Sequence, residues 1–158
     1  MSATTRPRRP GEQDGREYYF LSEERFLELV RENGFLEHVV YVGHRYGTLR
    51  SEVTRIFDTG RSCVLELETR GARAVKDDQP ESVTIFVAAP SFAELERRLR
   101  ERATESTGDI GERLQVARHQ MSEADDFDYT VVNDDVPRAV HELENVINAA
   151  LTGRLSPT

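Results

Sequence analysis

The chain has 158 residues, a net charge of −8 at pH 7 and 37% hydrophobic residues. This length supports one domain with a modest core, and the composition is that of a globular protein rather than a disordered chain. The acidic balance argues against a general nucleic-acid-binding surface, and no apolar run approaches the ~20 residues of a membrane helix. The single cysteine, Cys63, excludes an intramolecular disulfide, and no hydrophobic signal segment opens the chain, so we expect a cytoplasmic protein.

The first half of the chain alternates short extended and helical patterns. Ser22 is a typical helix N-cap, and Asn33-Gly34 is a typical helix end. We predict, in chain order, a turn-rich segment over 1–16, a short strand over 18–20, a helix between Ser22 and Gly34, an extended segment over 35–42, a turn or short strand over 43–48 and a helix over 50–59.

The second half has the rhythm of an α/β fold. We predict, in chain order, a strand over 63–67 with Cys63 buried in it, a helix after Gly71, a strand over 83–89, helices over 91–103 and 110–121, a strand over 129–132 and a last helix capped by Asp135. The nearly continuous apolar run of 83–89 is typical of a strand covered on both faces. Strands that alternate with helices predict parallel pairing.

A basic cluster near the start of the chain favours anion binding. Arg6 and Arg9 lie three residues apart and are held by Pro7 and Pro10, which predicts a stiff bidentate clamp for a phosphate. The alternative interpretation of such a run is a solvated basic tail.

The cluster belongs to a longer series of motifs, and the series resembles the guanylate kinase family over residues 2–150. The motifs are Ser2-Ala3-Thr4-Thr5-Arg6-Pro7-Arg8-Arg9-Pro10-Gly11-Glu12, Glu17-Tyr18-Tyr19-Phe20, Phe35-Leu36-Glu37, Tyr46-Gly47-Thr48, Gly71-Ala72-Arg73, Ala89-Pro90-Ser91, Arg98-Leu99 through Arg102, Arg113-Leu114 and Val132-Asn133-Asp134-Asp135. The resemblance implies a P-loop kinase-like parallel sheet in one domain over 1–158. Its parts would be an inserted GMP-binding lobe over 2–60, a core over 61–103 and 123–152, and a helical lid over 104–122.

The resemblance also implies a GMP site in the first lobe. By match, the monophosphate would be bound by Arg6, Arg9, Tyr18 and Tyr46 with Ser2 nearby, and the guanine would be read by Glu37, Thr48 and Glu68. A carboxylate accepts from guanine N1–H and the exocyclic amine together, a pair of donors that adenine lacks. Without the family, Tyr18 and Tyr46 could be core or interface aromatics, and Glu37 could be an exposed strand carboxylate.

The same resemblance implies ATP as co-substrate and Mg²⁺ as its metal. Arg102 and Arg113 would join Arg9 at the transferring phosphate, Arg98 and Asn133 would lie near ATP, and Glu66 would help to hold hydrated Mg²⁺. The alternative for the arginines of 97–102 is a helix surface laced with ion pairs to neighbouring glutamates.

One family feature is not found among these residues. Binding of the ATP phosphates uses a loop of the pattern G-x-x-x-x-G-K-[ST], but the chain has no Gly-Lys pair and its only lysine is Lys76. We therefore expect the first core strand and the P-loop to be missing, and the chain alone to be impaired as a kinase and to self-associate through an exposed sheet edge. The alternative function is a non-catalytic module that binds GMP or phosphopeptides with the same clamp.

Overall fold

The computed structural model of the chain describes residues 1–41, 43–103 and 110–153, without the side chains of residues 102, 103 and 112. Its contacts divide the α/β fold into two units, Met1–Ser82 and Val83–Thr158. The first unit contains β1 (Ser2–Thr4), β2 (Tyr19–Phe20), α1 (Glu23–Arg31), β3 (Phe35–Tyr41), β4 (His44–Leu49), α2 (Arg50–Phe57) and α3 (Thr69–Asp78). The second unit contains β5 (Ile85–Ala88), α4 (Phe92–Ala103), α5 (Ile110–Ser122), a 3₁₀ turn (Ala124–Asp126), β6 (Tyr129–Val132) and α6 (Val136–Leu151).

The first unit is built on a four-stranded sheet in the order β2-β1-β4-β3. Strand β1 pairs parallel with β2 and antiparallel with β4, which pairs antiparallel with β3. Because side chains alternate along a strand, the sheet has one apolar face and one more polar face.

Helix α1 covers the apolar face of this sheet. The Ser22 hydroxyl accepts a hydrogen bond from the Arg25 N–H at 3.2 Å, which caps the helix as the sequence predicts. Phe26 is fully buried and stacks on Phe35 with 4.4 Å between ring centroids. Gly47 makes room for this core, since a Cβ at that position would come within 2.6 Å of Phe35 Cδ1.

Two parallel strands, β5 and β6, form the sheet of the second unit and confirm the predicted parallel pairing. Their starts are joined by Asp128, whose Oδ2 accepts from the Thr84 N–H at 2.8 Å, while its own N–H donates to Thr84 Oγ1 at 3.0 Å. The prediction that the apolar run is covered on both faces is wrong at Val87, which is 55% exposed and lies on a face that the described residues leave open.

The helices of the second unit begin where their caps predict. The Ser91 hydroxyl accepts from the Glu94 N–H at 3.2 Å, and Asp135 Oδ1 accepts from the Arg138 N–H at 3.0 Å. Within the described residues, none of the helices combines the length and apolarity required to cross a bilayer.

Three predictions about elements are wrong. The segment 63–67 is not a strand, and Cys63 is only half-buried, because no described strand pairs with this stretch and an extended segment without a ladder partner is not a strand. Helix α3 begins at Thr69 rather than after Gly71, because Glu68 supplies the cap. The turn-rich segment over 1–16 contains β1, which is too short for its pattern to show and is formed by its ladder with β2 and β4.

Candidate functional site

A row of polar residues crosses the sheet of the first unit. Ser2 of β1 is paired with Thr48 of β4, and Thr48 is paired with Glu37 of β3. Residues paired across neighbouring strands point to the same face of the sheet, so Ser2, Thr48 and Glu37 share one face. Thr48 and Glu37 are buried, 2% and 5% exposed. The interpretation of Glu37 as an exposed strand carboxylate is therefore wrong.

Glu37 is held in place by its neighbour in this row. The Thr48 hydroxyl donates to Glu37 Oε1 at 2.7 Å. Burial raises the pKa of the Glu37 carboxyl, an effect that the bonds from Thr48 oppose and the nearby charge of Glu68 reinforces. A carboxylate in such a position gains from a ligand that supplies N–H donors, because it has lost part of its hydration.

Helix α3 brings the second predicted base-reading carboxylate to the same place. Glu68 is the N-cap of α3, and its Oε1 accepts from the Gly71 N–H at 3.1 Å. Gly71 is buried against Glu37 Oε2, at a point where a Cβ would be 2.8 Å from that oxygen. The structure thus brings together Glu37, Thr48 and Glu68, which lie far apart in the sequence.

The arginine cluster is organised by Glu12. Arg6 donates from Nη2 to Glu12 Oε1 at 2.8 Å and from Nη1 to Glu12 Oε2 at 3.0 Å. The Arg9 N–H donates to the same carboxylate at 2.7 Å. These bonds raise the pKa of the Arg6 guanidinium and lower the pKa of the Glu12 carboxyl. Arg6 is thereby held in one orientation, while the Arg9 side chain is exposed.

Aromatic rings surround the Arg6 guanidinium. Its Cζ lies 5.7 Å from the centroids of both the Tyr18 and the Phe20 rings. Tyr18 also meets Tyr46 edge to face at 6.2 Å, so both predicted phosphate-binding phenols are close to the arginine. The half-buried guanidinium and phenol groups form a set of donors suited to an anion with several oxygens.

Sequence reasoning missed Glu12 as part of this cluster. The available signal was an acid that closes the basic run directly after Gly11. Gly11 has φ of +88°, a left-handed conformation that glycine adopts without strain, and the turn there returns Glu12 to Arg6 and Arg9.

In the second unit, two residues predicted to bind ATP are in contact. Arg98 Nη1 donates to the Asn133 backbone oxygen at 3.0 Å, and its Nε donates to Glu94 Oε1 at 2.7 Å. Arg113 is half-buried in α5. Arg102 lies in α4, but its side chain is outside the described residues, as are residues 104–109 of the predicted lid.

The other arginines of α4 form surface ion pairs, as the alternative interpretation expects of them. Arg97 pairs with Glu94 at 2.7 Å and with Glu101 at 2.6 Å, and Arg100 pairs with Glu96 at 2.6 Å. The bonds from Arg97 and Arg98 lower the pKa of Glu94 to about 2.

Glu66, the candidate for Mg²⁺, is exposed in the segment before α3. Among the described residues, no group of three or more His, Cys, Asp or Glu side chains could hold a metal ion. Mg²⁺ usually keeps several waters and binds one or two carboxylates together with substrate phosphates. Glu66 could therefore be the single carboxylate of such a site, in which substrate phosphates and water would supply the other ligands.

The α/β fold matches that of a guanylate kinase of known structure. The family model of guanylate kinase matches residues 1–150, and the chain belongs to that family.

Similar proteins agree with this assignment. The guanylate kinase of Synechococcus sp. (strain JA-3-3Ab) is 44% identical over 154 residues, which are 98% of this chain and 71% of that protein. A guanylate kinase of Thermus thermophilus is 47% identical over 149 residues, 94% of this chain and 68% of that protein. The crystal structure of guanylate kinase from Anaplasma phagocytophilum matches with a TM-score of 0.79 at 32% identity, covering 94% of this chain and 72% of that one.

Proposed function

We propose that this chain carries the GMP-binding site of a guanylate kinase, an enzyme that transfers a phosphoryl group from ATP to GMP and yields ADP and GDP. The observation that supports this most strongly is the buried Glu37 carboxylate, held by Thr48 and bordered by Glu68 and Gly71. A buried acid at neutral pH is costly unless a partner compensates it, so its presence favours a binding role over a structural one.

Guanine supplies hydrogen-bond donors that would offset the cost of burying the Glu37 carboxylate. Its N1–H and exocyclic amine donate side by side, and we assign the reading of these donors to Glu37 and Glu68, with Thr48 orienting Glu37. Adenine presents an acceptor at N1 and would leave the buried carboxylate unpaired. A site built to accept hydrogen bonds rejects a ligand that lacks the donors by a large factor.

We assign the monophosphate to the arginine cluster. Arg6 and Arg9 supply guanidinium donors, and Tyr18 and Tyr46 supply hydroxyl donors. Ser2 lies on the face of the sheet that also carries Thr48 and Glu37. Because Glu12 occupies two donors of Arg6 and the Pro7 carbonyl oxygen a third, the remaining donors of Arg6 and the exposed fork of Arg9 are the groups offered to a phosphate. Charge-assisted bonds of this kind are about twice as strong as neutral ones.

For phosphoryl transfer we assign charge neutralisation to arginines and ATP contact to the Arg98–Asn133 pair. Arg9, Arg102 and Arg113 would stabilise the charge on the transferring group, since this reaction depends on positioning and electrostatics rather than on a covalent intermediate. Bound Mg²⁺ would neutralise the charge of the ATP phosphates. Glu66 would help to hold that ion through its waters.

These 158 residues alone are expected to be slow as a kinase. They contain no G-x-x-x-x-G-K-[ST] motif, whose backbone amides and lysine hold the ATP phosphates. A cytoplasmic setting suits a reaction between free nucleotides. We also propose self-association, because each strand of the two-stranded sheet β5-β6 has one edge without a described partner.

A coupled assay of ADP release with ATP and GMP tests the proposal. The 158-residue chain is compared with the same chain extended at its N terminus by a segment that carries the motif, and each is also assayed with an Arg9→Ala substitution. We expect turnover only from the extended chain and its loss with Arg9→Ala. An extended chain that binds GMP but never turns over would support the non-catalytic module instead.

A further inference from the structure

Gly71 lies between the two carboxylates that the proposed function assigns to guanine. Its N–H donates to Glu68 Oε1 at 3.1 Å. A Cβ atom at Gly71 would be 2.8 Å from Glu37 Oε2 and 3.3 Å from Glu37 Cδ. The first turn of α3 therefore donates a hydrogen bond to one carboxylate and lies too close to the other for a Cβ atom to fit without a shift.

The backbone does not require glycine at this position. Gly71 is inside α3 and is not among the glycines with positive φ. Alanine is the better helix former, because glycine loses more conformational freedom when a helix forms. The close approach to Glu37 is the feature of this position that a side chain would disturb.

Glu37 has little room to retreat from a larger residue. It is 5% exposed, and its other oxygen, Oε1, accepts from Thr48 at 2.7 Å. Backbone atoms other than those of α3 are not among the nearest neighbours of the added Cβ, and the third contact, Leu67 Cβ at 3.6 Å, is an ordinary one. A methyl group at Gly71 would therefore displace the Glu37 carboxylate first.

We propose that Gly71 is a specificity-determining residue of the guanine site. Because it has no side chain, the Glu37 carboxylate can occupy its observed position, and its N–H holds the Glu68 carboxylate nearby by a hydrogen bond. This inference rests on the proposed function. It predicts that the discrimination between guanine and adenine depends on the absence of a single methyl group in α3.

The test is a Gly71→Ala substitution in the 158-residue chain, with GMP and AMP binding measured by isothermal titration calorimetry. We expect the Kd for GMP to rise at least about tenfold, the effect of misplacing one hydrogen bond to a charged group. The Kd for AMP is expected to stay within about twofold, since the arginine cluster is untouched. The melting temperature is expected to change little, because the helix preference of alanine offsets part of the cost of displacing the buried carboxylate.

Two further variants separate the site from the helix. Ala74→Gly weakens the same helix at an exposed position and is expected to lower the melting temperature without changing the ratio of the GMP and AMP affinities. In a Glu37→Asp background, the shorter side chain no longer reaches the added methyl group. Gly71→Ala is therefore expected to change GMP binding there by no more than about twofold.

The outcomes distinguish this inference from the proposed function. If the unsubstituted chain binds GMP no more tightly than AMP, the proposed function fails. If it prefers GMP and Gly71→Ala keeps that preference, the role of Gly71 is refuted while the function stands. Equal weakening of both nucleotides would also refute the role, since the methyl group would then have distorted α3 itself.

Discussion

The folded structure stabilises the ionised form of one carboxylate, Glu12, and destabilises the ionised form of another, Glu37. Glu12 is stabilised by Arg6 and Arg9, whereas burial makes the ionised form of Glu37 costly in the free protein. The raised pKa of Glu37 means that the folded chain binds a proton more tightly than the unfolded chain does. The free energy of unfolding therefore falls as the pH rises from the ordinary Glu value of 4.5 through the raised value.

Glu37→Gln is expected to stabilise the free chain and to weaken GMP binding. At pH 7 the substitution removes the cost of the buried charge, so the melting temperature rises, and the difference narrows as the pH falls toward the ordinary Glu value of 4.5. The loss of hydrogen bonds to a charged acceptor weakens GMP by about 2 kcal/mol, roughly 30-fold, with little change for AMP. Thermal melting and titration calorimetry measure both effects, and a lower melting temperature with unchanged GMP affinity would contradict them.

Arg9→Ala is expected to weaken GMP and AMP alike. Arg9 is assigned to the phosphate, which both nucleotides carry, and the loss of charge-assisted bonds costs about 1.5–3 kcal/mol, roughly 10- to 160-fold in Kd. Arg8→Ala is the matched control. Arg8 is the exposed neighbour, and its guanidinium lies over the Phe20 ring at 5.6 Å. If Arg8→Ala weakens both nucleotides as much as Arg9→Ala does, the assignment to Arg9 is wrong.

At the scale of elements, local caps and periodicity predict most of the helices and the parallel pair of strands. Whether a short extended segment becomes a strand depends on a partner distant in the sequence, and local patterns do not predict that. Tyr129–Val132 is a strand as predicted, with a described partner, while the similar apolar run 63–67 has none. The predicted site residues come from the family resemblance. Glu12 and Gly71 stand in its motifs without a role, because their roles depend on a turn and a helix approach that only the folded chain shows.

A paired Arg50 and Asp78 join the start of α2 to the end of α3. Arg50 donates twice to Asp78, at 2.8 and 3.1 Å, and these bonds lower the pKa of Asp78 to about 2. The stability that this pair contributes is present above the ordinary Asp value of 3.8 and is lost as the pH falls through about 2.

Asp78→Asn is therefore expected to lower the melting temperature at pH 7, with a smaller difference between the two chains at acid pH. The exposed neighbour provides the control, since Asp77→Asn should leave the melting temperature nearly unchanged. Restoration by the exchanged pair, Arg50→Asp with Asp78→Arg, would support the ion pair as the cause. Equal effects of the two single asparagine substitutions would contradict it.

At the scale of the whole molecule, β5 and β6 each have one edge that no described strand pairs with, and exposed apolar residues lie in the same unit. Val87, Val136 and Val140 are 55%, 64% and 48% exposed. Unpaired strand edges with apolar neighbours are the usual sites of edge-to-edge association, and a lysine on such a strand opposes that association.

Concentration-dependent self-association of the 158-residue chain is accordingly expected in size-exclusion chromatography with light scattering. Val87→Lys is expected to shift the population toward the monomer. Val40→Lys is the control, at a residue that is 59% exposed on β3 of the first unit, and should have no such effect. A monomer at all concentrations, or equal effects of the two lysines, would contradict the role of β5.

The most direct test of the proposed guanine site is the titration of GMP and AMP, side by side, into the 158-residue chain. The carboxylates Glu37 and Glu68 and the arginine cluster all lie within the first unit, Met1–Ser82. Guanine-specific binding is therefore expected from this chain even if it turns over slowly. We predict saturable GMP binding at least about 100-fold tighter than AMP binding, as for a site that accepts donors the wrong base lacks. Equal affinity for the two nucleotides, or no GMP binding at millimolar concentration, would contradict it.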